Sequence, residues 1–351
     1  MTRVIVIGAG HTGLVAAIRL AAAGLDVTVL EHAPAIGGAS SSIERDGFVF
    51  DHCAGFTPTA AVSPAIRELE LDLDWINPAV VSAHPFPDGT AIALHRDLAA
   101  TVESLGTAGD AWAAAMRRIL PVATPLAETI LSPLPPPGRQ AARVAMTWGR
   151  EGAEWTRRLA GSVEALGLDL FDGHRRATAW LSGSAQHSGL PPTAAGGGAF
   201  GLLLQMLGHS HGWPFPRGGM QALPDALARR ARTEGATIRC DATVSAILTR
   251  RGRVAGVRLS GGEDLAADAV VSTLSAGALV RLLPDGALPS RLQRRLQVWR
   301  YGTAPFMIHY ALSAPVPWEA EEPATGGRRA SRRRARGAVR GRPGGSAGRG
   351  P

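Results

Sequence analysis

Residues 4–31 read VIVIGAGHTGLVAAIRLAAAGLDVTVLE, and this stretch decides the fold class. The apolar run that ends at Ile7 predicts a buried strand, and the glycines that follow predict a turn. Apolar residues then recur at helical spacing, at Leu14, Ala17, Ile18 and Ala21. Gly24 stands where a helix C-cap is expected, and residues 26–31 predict a second short strand. The stretch therefore predicts a β-α-β unit with parallel strands.

The turn after the first strand carries the dinucleotide-binding fingerprint GAGHTG. Gly8 permits the tight turn, Gly10 lets the backbone approach a pyrophosphate, and Gly13 lets the helix pack close to the strand. The pyrophosphate is expected on the free N–H groups of a helix that starts near Thr12. Glu31 lies 18 residues after the last glycine, where an acid accepts a hydrogen bond from a ribose hydroxyl. The alternative is a glycine-rich turn in another kind of α/β protein.

A pair of glycines, Gly37 and Gly38, follows the second predicted strand. The run from Val4 to Ser41 resembles the extended nucleotide-binding motif of the amine oxidase and phytoene desaturase flavoproteins. The resemblance implies that the glycine pair brings the backbone against the FAD pyrophosphate, whereas NAD enzymes with the short fingerprint usually lack this pair.

Further segments resemble the same superfamily. They are DGFVFDHCAGF (46–56), GWPFPRGGMQALPDALARRARTEGATI (212–238), VSAILTRRGRVAGVRLSGGEDLAADAVVSTL (244–274) and RYGTAPFMIHYALSAPVPW (300–318), the last resembling a strand of the substrate domain. Residues 1–318 are thus similar to bacterial phytoene desaturase-like oxidoreductases, a group that includes relatives of a pyridine-nucleotide-disulfide-oxidoreductase-domain protein. The resemblance implies that Val244 contacts the adenine through its backbone. The cofactor-binding residues expected for FAD are Gly8, Gly10, His11, Thr12, Gly13, Glu31, His32, Gly37, Gly38, Ser41 and Val244.

The predicted fold class is α/β, with a discontinuous Rossmann-like FAD-binding domain and an inserted, mostly helical substrate domain. The FAD-binding domain is expected over 1–75 and 216–283, the substrate domain over 76–215 and 284–318, and a disordered basic tail over 319–351. Helical patterns cover 62–75, 97–118, 139–166, 174–185 and 219–233, and strand patterns cover 236–248, 253–259 and 268–273.

The net charge of +8 is concentrated in the last part of the chain. Nine of the 37 basic residues lie in 326–351, where there is no acid, so the rest of the chain is nearly neutral. This part resembles a shifted reading frame of GC-rich DNA, and the glycine-rich segment with which the family closes its FAD domain is missing. We therefore expect a truncated or frame-shifted member with impaired catalysis. The alternative, a nucleic-acid-binding arm, would need interleaved aromatic residues, so no specific nucleic acid is expected.

Other features of the sequence limit the cellular compartment and the metal or thiol chemistry that can be expected. Two cysteines cannot form a disulfide framework, the start of the chain runs directly into a strand, and no apolar stretch is long enough to span a bilayer. We expect a cytoplasmic protein; peripheral membrane contact and the oligomeric state stay open. His209 and His211 lack nearby ligands at metal-binding spacing and are expected in a loop or pocket wall, so no metal site is predicted. Asp51-His52-Cys53 is expected to be a structural loop near the cofactor.

The resemblance implies an FAD-dependent oxidoreductase or desaturase. Its flavin takes a hydride from a C–H bond of an apolar substrate, such as an isoprenoid or polyene, and an unidentified acceptor reoxidises the flavin. We nominate no catalytic residue, because the family has no obligatory acid or base. Two alternatives remain at this stage: a non-catalytic FAD-binding remnant, and an NAD(P)-dependent dehydrogenase.

Overall fold

A computed structural model describes residues 1–131, 138–304, 306–314 and 316–318. The expected disordered tail, 319–351, and the expected change of reading frame lie outside the described residues.

The strands are β1 (Arg3–Ile7), β2 (Asp26–Leu30), β3 (Ser42–Arg45), β4 (Phe48–Asp51), β5 (Trp75–Ile76), β6 (Val80–Pro85), β7 (Ala91–His95), β8 (Phe215–Pro216), β9 (Thr237–Arg239), β10 (Val244–Arg250), β11 (Arg253–Leu259), β12 (Asp264–Ala266) and β13 (Ala269–Ser272). The helices are α1 (His11–Ala22), α2 (Pro58–Val62), α3 (Pro64–Arg67), α4 (Leu98–Leu105), α5 (Gly109–Ile119), α6 (Ala123–Leu131), α7 (Gly138–Trp148), α8 (Gly152–Ala160), α9 (Val163–Leu170), α10 (Arg175–Ala185), α11 (Gly197–Ser210), α12 (Ala222–Thr233), α13 (Ala276–Leu282) and α14 (Ser290–Gln297). The chain is therefore an α/β protein.

A parallel four-stranded sheet in the order β13-β1-β2-β9 carries the N-terminal motif. Strands β1, β2 and β13 are short, mostly apolar runs, as expected for strands that are covered on both faces. Helix α1 packs against α12 on one face, and its buried residues are the ones that recur at helical spacing. The other face packs against the antiparallel sheet β10-β11-β12 through a core that includes Ile5, Leu30 and Val257. Strand β13 pairs directly with β1, although 261 residues of chain separate Ile7 from Ala269. The boundaries of the two expected domains stay predictions.

The described residues of 98–210, which exclude 132–137, form a mostly helical part with its own apolar core. Trp112 and Trp180 are completely buried there and meet edge to face, with their ring centroids 5.0 Å apart. A β-hairpin of β6 and β7 packs on this core, and the sequence patterns had not indicated it. Within the described part of the chain, no helix combines the length and the apolar character needed to cross a bilayer.

Three expectations about local structure were wrong. The helix expected over 62–75 ends at Arg67, because Glu70 has a left-handed φ of +48° that a helix does not continue through, and Trp75 lies in the short strand β5. The strand expected over 236–248 is interrupted at Asp241, whose φ of +51° is left-handed. The described residues of 300–318 form no strand, since none of the described strands pairs with them.

Candidate dinucleotide-binding site

The glycine-rich turn lies at the carboxyl end of β1, and its three glycines meet different constraints. Gly8 has a φ of +102°, and a Cβ there would lie 2.6 Å from Thr273 Oγ1. A Cβ on Gly13 would overlap the carbonyl oxygen of Gly8, so the helix crosses the turn too closely for any side chain. Gly10 has open space where its Cβ would be, and its φ of −71° suits any residue. Only Gly10 therefore leaves a free volume beside the start of α1, where a phosphate finds N–H groups and a favourable dipole.

Glu31 binds the backbone of the turn. Its Oε2 accepts a hydrogen bond from the Ala9 N–H at 2.8 Å, and its Oε1 accepts one from the Ala33 N–H at 2.9 Å. The side chain is 9% exposed, so both bonds are largely shielded from water. Each carboxylate oxygen has two lone pairs and can accept a second hydrogen bond. Glu31 therefore fixes the shape of the turn and keeps the capacity to bind a hydroxyl.

The glycine pair lies directly against the fingerprint turn. The Gly37 N–H donates to the Ala9 carbonyl at 3.0 Å, and a Cβ on Gly38 would lie 3.3 Å from the Gly10 Cα. Both residues have positive φ, +127° and +56°, which only glycine adopts readily. Ser41 closes the turn, because its Oγ donates to the Gly38 carbonyl at 2.8 Å. Two glycine turns thus border the same open space beside Gly10.

A third segment, the Pro-Arg-Gly-Gly-Met-Gln run at 216–221, holds the glycine pair in place. Asp51 Oδ1 accepts hydrogen bonds from the Met220 N–H and from Ser42 Oγ, both at 2.7 Å. Ser42 Oγ in turn accepts from the Gln221 N–H at 2.9 Å, and Gln221 Nε2 donates to the Ile36 carbonyl at 3.3 Å. The sequence reasoning had treated Asp51 as part of a structural loop and had missed Gln221. The Pro-x-Gly-Gly-Met signature was the signal available for it.

The remaining expected cofactor residues border the same region. His11, Thr12 and His32 are exposed. Ala242 N–H donates to the Glu31 carbonyl at 2.8 Å, which brings Val244 to the end of β2. The Val244 side chain is buried in the core between the two sheets, so its backbone is the part left for a ligand. Contact of these residues with FAD stays a prediction.

The histidines near Trp213 have structural partners. His209 lies in α11 and not in a loop, and its Nε2 accepts a hydrogen bond from Trp112 Nε1 at 3.0 Å. Burial lowers the pKa of His209 to about 4, so the ring is neutral at pH 7. His211 Nδ1 lies 2.8 Å from Ser210 Oγ. The described ranges hold no group of three His, Cys, Asp or Glu side chains able to bind a metal.

Comparison with known proteins identifies the family. The sequence profile of the family described as "Flavin containing amine oxidoreductase" matches residues 11–339. The chain belongs to this family. FAD is therefore its cofactor, and oxidoreduction is the chemistry of the family. The match runs beyond residue 319, and the expected truncation is not confirmed.

Curated relatives agree with this assignment. The chain is 31% identical to hydroxyneurosporene desaturase of Cereibacter sphaeroides over 88% of its own length and 65% of the relative. It is 30% identical to zeta-carotene-forming phytoene desaturase of Myxococcus xanthus, over 90% and 61% of the two lengths. The chain thus spans less than two thirds of the length of these relatives.

The fold is similar to that of an oxidoreductase from Methanosarcina mazei, at 19% identity and a TM-score of 0.55, over 84% of this chain and 65% of that one. It is also similar to putrescine oxidase, at 17% identity and a TM-score of 0.56, over 84% and 63% of the two chains.

Proposed function

We propose that the protein is an FAD-dependent desaturase that removes hydrogen from an apolar polyene or isoprenoid substrate. One observation carries this proposal. The turns at Gly8–Gly13 and Gly37–Gly38 border a single open space at the carboxyl end of a parallel sheet, in a family member about 30% identical to carotenoid desaturases over most of its length. Ligands of open α/β sheets bind at this edge.

The residues at this edge suit an extended dinucleotide. The free space at Gly10 and the N-terminus of α1 would hold the pyrophosphate, with the backbone of Gly37 and Gly38 on its other side. Glu31 would accept a hydrogen bond from the ribose through a lone pair that its backbone contacts leave free. The backbone of Val244 would border the adenine.

When bound, FAD supplies the two-electron acceptor, which no protein side chain can provide. The chain itself would position FAD and the substrate and exclude water from them. Apolar side chains where the helical core meets the sheet core would border a hydrocarbon, and the hydrogen bonds of Asp51 and Gln221 would keep the glycine pair rigid. Water exclusion strengthens every electrostatic contact inside such a site.

The test is an anaerobic reduction experiment with the protein reconstituted with FAD. Phytoene or neurosporene in detergent micelles should bleach the yellow flavin band, and the product should absorb at longer wavelength because its conjugated chain is longer. Putrescine is the matched control and should leave the flavin oxidised. A flavin that no polyene reduces would contradict the proposal and favour an FAD-binding remnant. A colourless protein that binds NADH would favour the dehydrogenase alternative.

A further inference from the structure

An aromatic cluster lies where the sheet core and the helical core meet. Ala54 packs against the core around α1, whereas Phe56, two residues later, packs against the helical core. The chain passes between the same two cores a second time at 213–215, because Trp213 belongs to the helical core and Phe215 packs against the sheet core. The Thr57 N–H donates to the Pro214 carbonyl at 2.9 Å and ties the two crossings together. Junctions between cores are preferred positions for small-molecule sites.

Three rings form the cluster. Phe56 stacks on Trp213 with centroids 4.9 Å apart and an interplanar angle of 13°. His187 stands edge-on to both, at 5.4 Å and 82° from Phe56 and at 5.9 Å and 86° from Trp213. Trp213 is fixed by a hydrogen bond from its Nε1 to the Leu204 carbonyl at 2.9 Å. The tryptophan is buried, Phe56 is half-buried and His187 is exposed, so the cluster is an apolar wall with an imidazole at its solvent-facing rim.

The wall adjoins the cofactor site through a short hydrogen-bonded connection. The Ala54 N–H donates to the carbonyl of Ala39 at 3.1 Å, and Ala39 directly follows the glycine pair. This hydrogen bond ties Ala54 to the glycine-pair turn, which borders the open space at Gly10. Phe56 lies only two residues after Ala54. A substrate lying on Phe56 would be next to the cofactor-binding edge.

The imidazole of His187 has unused hydrogen-bonding capacity. Its side chain makes no hydrogen bond to the described residues, and partial burial lowers its pKa, so one ring nitrogen is an acceptor at pH 7. A second histidine lies close by: burial and the charge of His187 both lower the pKa of His84. The His84 ring fits against α10 because Gly183 has no Cβ, and its buried Nδ1 has no partner among the described residues. An otherwise apolar junction thus offers polar atoms that have no hydrogen-bond partner among the described residues.

We propose that Phe56, Trp213 and His187 form the surface that binds the conjugated chain of the substrate, and that His187 selects a hydroxylated polyene by accepting its O–H. This inference rests on the proposed function, since it names where a polyene substrate of that reaction lies. Ring faces attract an extended π-system through area and stacking. A placed acceptor replaces a hydrogen bond that the hydroxyl gives up on leaving water, so it favours an alcohol over an ether or a hydrocarbon by about one net hydrogen bond.

Binding of two fluorescent polyenes to the FAD-loaded protein tests this without turnover. Retinol donates a hydrogen bond and retinyl methyl ether does not. The wild-type protein should prefer retinol by roughly two- to tenfold, which corresponds to one net hydrogen bond. His187→Phe should abolish this preference while ether binding persists, and His187→Asn, which keeps an acceptor, should restore part of it. Phe56→Ala should weaken both probes about tenfold, from the lost ring contacts.

Trp148→Ala is the matched control, because Trp148 also packs on the helical core but stacks on Trp155 and not on the cluster. It should bind both probes as the wild type does, and flavin absorbance should be equal in all variants. An unchanged preference in His187→Phe, or wild-type affinity in Phe56→Ala, would overturn the site and leave the proposed function standing. Failure of the wild type to bind either polyene would overturn the site and the proposed substrate class together.

Discussion

Gly10 and Gly13 are three residues apart in one turn, yet the space around them differs. A Cβ at Gly13 would overlap the backbone of Gly8, whereas a Cβ at Gly10 would meet no protein atom within 4 Å. Gly13 is therefore required by the fold, whereas Gly10 is required only by a ligand that occupies the open space. Sequence reasoning assigned these roles from the motif, and the geometry now gives a way to separate them.

Gly10→Val is expected to leave the FAD-free protein folded and to abolish FAD retention, because its Cβ meets no protein atom and enters the space in which we propose that the pyrophosphate lies. Gly13→Ala is the contrasting variant and should destabilise even the FAD-free protein, by several kcal/mol, since backbone must move. Urea denaturation of the FAD-free proteins and titration with FAD measure the two effects. Normal flavin content in Gly10→Val would refute the position given to the pyrophosphate.

At the scale of elements, the contact between β6 and α10 depends on one missing side chain. Gly183 lies inside α10, where alanine would normally stabilise the helix by about 1 kcal/mol. A Cβ there would overlap the His84 ring, so Gly183→Ala is expected to destabilise the protein instead, by roughly 1–3 kcal/mol. Adding His84→Ala should remove the clash and reverse the sign of the Gly183→Ala effect. Chemical denaturation of the four proteins in this cycle measures it, and additive effects would contradict the packing described.

Local elements could be predicted from the sequence where one period dominates. The unit β1-α1-β2 is such a case, because strand, glycine turn and helix each have their own signal within 31 residues. The prediction of a helix over 62–75 was wrong because it assigned leucines that are two residues apart to a helix. Other contacts depend on partners far along the chain. Trp75 pairs with Pro216, and Asp51 accepts a hydrogen bond from the segment that follows Pro216. A single sequence contains no local signal for the choice of such partners.

For the whole molecule, every resolved shift of a histidine pKa has the same sign. Burial lowers the pKa of every histidine for which a shift is resolved, namely His11, His84, His187, His209 and His211. The unfolded chain, with histidines near pKa 6.5, therefore binds more protons than the folded one below that pH. Salt-bridged carboxylates such as Asp88 and Glu154, with pKa values of about 2, lose their contribution only at lower pH.

The free energy of unfolding is thus expected to fall as the pH drops from 6.5 towards 4. His209 dominates, because its pKa of about 4 in the folded protein corresponds to roughly 3 kcal/mol lost across this window. The cause is local: a protonated His209 can no longer accept the hydrogen bond of Trp112 and would carry a charge into the helical core. His209→Gln keeps an acceptor and removes the charge, so its stability should vary less with pH between 6.5 and 4. Urea denaturation at closely spaced pH values measures both proteins. Parallel pH profiles for the variant and the wild type would show that another group causes the acid sensitivity.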